Sequence, residues 1–127
     1  MTDKETLRYA RNILLALHKS LIDFERTGYE RLHGPMNAGQ FLNTLLEDEN
    51  FAWLRKFSML IVEIDEMFDL KDGITGEMVS ANLTKIRELM NMSEPDEFFR
   101  AKYQFALQNS VEAAGSQGQL QALLSIE

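Results

Sequence analysis

Apolar residues recur along this chain at the three- and four-residue intervals of an α-helix, and no stretch alternates at the two-residue period of a strand. The bulkiest run is residues 51–69. At about 100° per residue, Trp53, Leu54, Phe57, Leu60, Ile61, Ile64, Met67 and Phe68 share one face, while Arg55, Lys56, Glu63 and Glu66 lie opposite. A face that wide has to be covered by other helices. The opening stretch, 2–33, carries Leu7, Ala10, Leu14, Leu17, Leu21 and Phe24 as a bundle seam. Leu15 and Ile22 form a second stripe, about 120° round from the first. Two stripes predict two sets of neighbours and place this helix inside the assembly.

Local signals mark the ends of the elements. Thr2 and Glu5 have the spacing of a capping box, and Gly34-Pro35 stops the first helix. A short helix is expected over 38–46, with Phe41, Leu42, Leu45 and Leu46 as its apolar face. The acidic run 47–50 caps the helix that begins at Phe51. After a turn at Lys71-Asp72-Gly73, Thr75 caps a fourth helix over 76–92, which buries Val79, Leu83, Ile86 and Met90. Ser93-Glu94-Pro95 starts a fifth over 95–114. There Phe99, Tyr103, Ala106 and Leu107 share one face, and Phe98 and Phe105 lie on another. Gly115-Ser116-Gln117-Gly118 reads as a flexible break before a short amphipathic segment. The expectation is an all-α, up-down bundle of four main helices plus a short one over 1–114, with 115–127 as a separate tail.

Composition narrows the function classes. The 127 residues are 45% hydrophobic and 26% charged, as in a globular domain with a real core. A net charge of -7 repels phosphate backbones and disfavours nucleic acid. The longest apolar run, Ile13 to Leu17, is far short of a membrane span. The charged opening residues do not read as a secretory signal. Without cysteine there is no disulfide or thiolate metal site, and the cytoplasm is the expected compartment.

One polar arrangement invites a site hypothesis. Arg11, His18, Glu25 and Tyr29 recur on the first helix at steps of seven, seven and four, between its two apolar stripes. They read either as a pocket wall, with His18 and Glu25 as acid/base or ligand groups, or more simply as a structural polar network. Glu30 and His33 have the Glu-x-x-His spacing of di-iron bundles, but the second motif that chemistry needs is missing. The loop from Asp69 lacks carboxylates at the calcium-loop positions, where Lys71, Gly73 and Ser80 stand. Asp65, at the edge of the bulky face, calls for a structural partner, Arg11 or Lys102. Asn82 reads as a register-setting polar group, and the methionines between Met59 and Met92 as core filling before binding groove. Phe98 and Phe105, on a second face of their helix, point to a contact surface.

His18-Lys19, Asp23, Glu25-Arg26 and Tyr29-Glu30, with Phe51-Ala52-Trp53-Leu54-Arg55, Ser58, Leu60-Ile61-Val62 and Ile64-Asp65-Glu66, resemble a small family of bacterial all-helical proteins. The resemblance spans the first three helices; it implies a cytoplasmic bundle and brings no activity, cofactor or site. The expected function is that of a non-enzymatic cytoplasmic protein without cofactor. It would act through protein contacts and self-associate through the fifth helix or the C-terminal segment. The alternative is a small-molecule or metal-binding bundle whose pocket is lined by Arg11, His18, Glu25 and Tyr29.

Overall fold

The longest helix, α1 (Asp3–His33), has 31 residues and measures about 46 Å at 1.5 Å per residue. The computed structural model containing it describes residues 1–93 and 95–124. The Thr2 hydroxyl accepts the Glu5 N–H at 3.1 Å and donates to the Glu5 carboxylate at 3.2 Å, so Thr2 caps the helix, with the carboxylate on the hydroxyl instead of on the Thr2 N–H that a full capping box would use. Gly34 ends the helix at a φ of 85°, and its N–H donates to the Glu30 carbonyl at 2.8 Å. The turn beyond is pinned back onto α1. The Glu30 carboxylate accepts Arg26 Nε at 3.0 Å and the Met36 N–H at 2.9 Å, while Arg26 also donates to the Met36 carbonyl at 2.8 Å.

After this turn come α2 (Ala38–Glu47), a 3₁₀ segment (Glu49–Leu54), α3 (Arg55–Phe68), α4 (Gly76–Met90), α5 (Glu97–Asn109) and α6 (Val111–Leu124). The fold is all-α, and the helix contacts fit an up-down bundle. Helix α1 packs against α3, α4 and α6, α3 against α4, and α5 against α6. Leu7, Ala10, Leu14, Leu17 and Leu21 are fully buried along the predicted seam. They meet Phe57 and Ile64 of α3, Leu83 and Ile86 of α4, and Leu120 and Leu124 of α6 in one apolar core. Each fully buried aliphatic or aromatic side chain of this kind stabilises the fold by about 1.5–3 kcal/mol relative to exposure.

Several expected details differ. Leu15 is 42% exposed and Ile22 only partly buried, so the second stripe is a flank, not a face of its own. Phe51 does not open an α-helix. Asp48 Oδ1 accepts the Asn50 N–H at 2.9 Å and starts the 3₁₀ segment, whose tighter winding turns Phe51, Trp53 and Leu54 all inward. Helix α4 stops at Met90, two residues short of the expected end. Helix α5 is capped by Asp96, which accepts the Phe99 N–H at 3.0 Å; of the residues expected to cap it, Glu94 lies outside the described ones.

The largest difference is at the C-terminal end. The break falls at Ser110, whose extended backbone ends α5 and whose hydroxyl accepts the Ala113 N–H at 3.2 Å. Residues 115–118 are helical. They are held by α6's contact face, where Ala113, Gln117, Leu120 and Leu124 are buried at helical spacing. The buried Tyr103 hydroxyl of α5 donates to Gln117 Oε1. A buried phenol needs such a partner, and that requirement fixes Gln117 inside the bundle. Ile126 of the expected terminal segment lies outside the described residues.

Candidate functional site

The four polar residues of α1 do not share one pocket. Arg11 and Glu25 are fourteen residues apart, about 21 Å along the helix, and each meets a different neighbour. Arg11 forms a two-pronged ion pair with Asp65 of α3, Nε to Oδ1 and Nη2 to Oδ2, both at 2.8 Å. The hydrogen bonds from Arg11 hold the Asp65 carboxyl below the ordinary aspartate range. This is the structural pair expected for Asp65, and it removes Arg11 from the proposed pocket.

His18 packs its ring on Phe57, with centroids 6.3 Å apart and planes 19° from parallel. Burial pushes its pKa below the ordinary value of 6.5, because the charged imidazolium loses its hydration there. Phe57 belongs to a cluster with Trp53, Phe99 and Tyr103 whose centroids lie 5.2–6.3 Å apart. His18 is thus the edge of an aromatic core.

Glu25 and Tyr29 do come together with Phe105. All three line an open cleft of about 1050 Å³ between α1, the 3₁₀ segment and α5. Glu25 continues the leucine seam by one more place, and it is only 9% exposed. Its Oε2 accepts the Trp53 indole N–H at 3.4 Å and Lys102 Nζ at 3.3 Å. Tyr29 lies between His33, its ring centroid 4.2 Å away, and Phe51, 5.6 Å away, with both pairs of rings tilted. Glu30, beside it, is committed to the turn clamp rather than to His33. Among the described residues no three His, Asp or Glu side chains converge to hold a metal ion.

Of the two exposed aromatics of α5, Phe105 lines the cleft and Phe98 stands outside its lining. Phe105 is 58% exposed and tilts against Phe24 of α1, at 5.8 Å; Phe98 is 48% exposed, with Lys102 Nζ 5.8 Å from its ring centre. Lys102 therefore joins the exposed ring of Phe98 to the buried carboxylate of Glu25. Its position one turn from each aromatic (98, 102, 105) was available from helical spacing, once Glu25 was known to face α5. Trp53 had a weaker signal. A buried indole needs an acceptor, but nothing in the order of residues points to Glu25, since the 3₁₀ turn that aims the ring depends on tertiary packing.

Among the described residues no helix is long and apolar enough to cross a membrane. Compared with protein-family models, curated proteins and solved structures, the chain matches none.

Proposed function

We propose that this protein is a non-enzymatic, cytoplasmic bundle that acts through protein contacts and self-associates through α5. The observation that carries this reading is the pair Phe98 and Phe105, two half-exposed aromatic rings each one turn from a shared lysine, on a helix whose other face is already in the core. Exposed rings clustered in this way are uncommon on a surface that meets only water. The C-terminal segment is the poorer candidate for the contact, because its apolar residues Leu120 and Leu124 are spent on the core. Arg11, His18 and Glu25 of α1 are held in pairs and a stack, which favours a scaffold over a catalyst, and a net charge of -7 favours protein over nucleic acid as partner.

Sedimentation velocity over a range of concentrations tests the proposal. The wild type should show a concentration-dependent dimer, and a Phe98→Ser/Phe105→Ser chain with unchanged helicity should stay monomeric. A wild type that is strictly monomeric throughout overturns it. The low exposure of Glu25 at the cleft favours a second reading, a small-molecule pocket. A ligand that copurifies with the wild type in native mass spectrometry and is lost from Glu25→Gln would decide for it.

A further inference from the structure

Apart from the cleft at Phe105, a second groove of about 810 Å³ opens between α3 and α4, with Leu60 and the buried ring of Phe99 of α5 among its lining. One wall is Met59, Val62, Glu63 and Glu66 of α3; the other is Lys85, Glu88 and Leu89 of α4, with Met92 just beyond its end. Both sets follow the i, i+3, i+4, i+7 spacing, so each is a single ridge along its helix. Met59 is 70% exposed and Val62 53%. Two ridges with an apolar floor form the seat into which a third helix packs its side chains.

The backbone at Met92 adds an independent observation. Its φ is 54°, the left-handed region, and the next N–H, that of Ser93, donates to the Glu88 carbonyl at 3.0 Å. This is the helix-ending turn in which glycine is the easy residue. A methionine there carries a conformational cost, and it adds a flexible thioether to the wall of the groove.

Charge selects the occupant. Lys85 is paired with Glu63, and Lys56 with Asp96 at 3.7 Å. Among the described residues no basic side chain pairs with Glu66 or Glu88, so the rim is left acidic. A second copy would bring another net charge of -7. Its exposed Leu42 and Leu46 sit on a helix without a basic residue, and the lysine between its α5 aromatics is held by Glu25. We propose that the α3/α4 groove binds a basic amphipathic helix of a different protein, with apolar anchors against Met59, Val62, Leu89 and Met92 and Lys or Arg toward Glu66 and Glu88.

The probe is a synthetic helical peptide of about 14 residues, as long as α3 itself, with Leu at i, i+4, i+7 and i+11 and Lys elsewhere. Its counterpart carries Glu in place of Lys. Calorimetric titration should give one saturable site for the Lys peptide and binding at least about tenfold weaker for the Glu peptide. Met59→Glu/Val62→Ser and Glu66→Lys/Glu88→Lys should each weaken the Lys peptide by about tenfold or more. Met59→Ser, at a side chain 70% exposed, should leave melting temperature unchanged and still weaken binding, which separates the groove from the fold. No binding of the Lys peptide, or equal binding by the Met59→Glu/Val62→Ser chain, overturns the proposal. So does a wild-type dimer that Met59→Glu dissolves, since the groove would then belong to a second copy.

Discussion

Three polar side chains, the partly buried His18 and Asp65 and the buried Asn82, set the pH and stability behaviour at the scale of single residues. His18 has a folded pKa below 6.5, so the native state refuses a proton that the unfolded chain accepts. The stability this represents is complete above pH 6.5 and is lost as pH falls from there to the folded value. Urea unfolding of His18→Leu should therefore show a flatter pH dependence on the acid side of 6.5 than the wild type. Asp65 acts lower. Its carboxyl is held below the ordinary 3.8 by Arg11, so its contribution is present above that pH and fades as pH drops through the folded value. Asn82 is the opposite case, buried with Oδ1 unpartnered and its amide resting on Met67 Sδ at 3.5 Å. Replacing it with Leu should raise stability by about 1–2 kcal/mol, read by chemical denaturation, because an unsatisfied buried carbonyl disappears.

At the scale of elements, α6 is the part whose helicity can be checked most directly. Gly115 and Gly118 lie inside it, and a Cβ at either would meet nothing within 4 Å. Gly115→Ala and Gly118→Ala should each stabilise by about 0.5–1 kcal/mol, as in any helix interior. In a flexible break neither change would do so. The glycines also explain why the sequence misleads here. Two of them within four residues read as a loop, whereas burial of Ala113, Gln117, Leu120 and Leu124 outweighs their propensity. Ser110, the real boundary, carries a cap signal that is legible only when the helix is known to restart. Thr2, Gly34 and Thr75 were readable because each acts within its own few residues. The site was less legible than the fold. Periodicity places Arg11, His18, Glu25 and Tyr29 on one strip of α1, but which neighbour each meets depends on where α3 and α5 cross it, and no local pattern encodes that crossing.

For the whole molecule, charge and aromatic contact pull in opposite directions. Two copies each carrying -7 repel at low salt, while rings such as Phe98 and Phe105 attract. Sedimentation at rising sodium chloride should show self-association through α5 strengthening as the repulsion is screened, and binding of the Lys peptide at the α3/α4 groove weakening over the same range. A surface that loses both interactions with salt would not be organised as proposed.

The pairing of α1 with α6 joins segments separated by residues 34–110. During synthesis at roughly 5–20 residues per second, the leucine stripe of α1 leaves the ribosome several seconds before the helix that closes over it. For that interval the nascent chain displays an amphipathic helix whose α6-facing side is uncovered, and chaperones that recognise exposed leucines should crosslink to stalled chains ending before Val111 and release them once α6 has emerged.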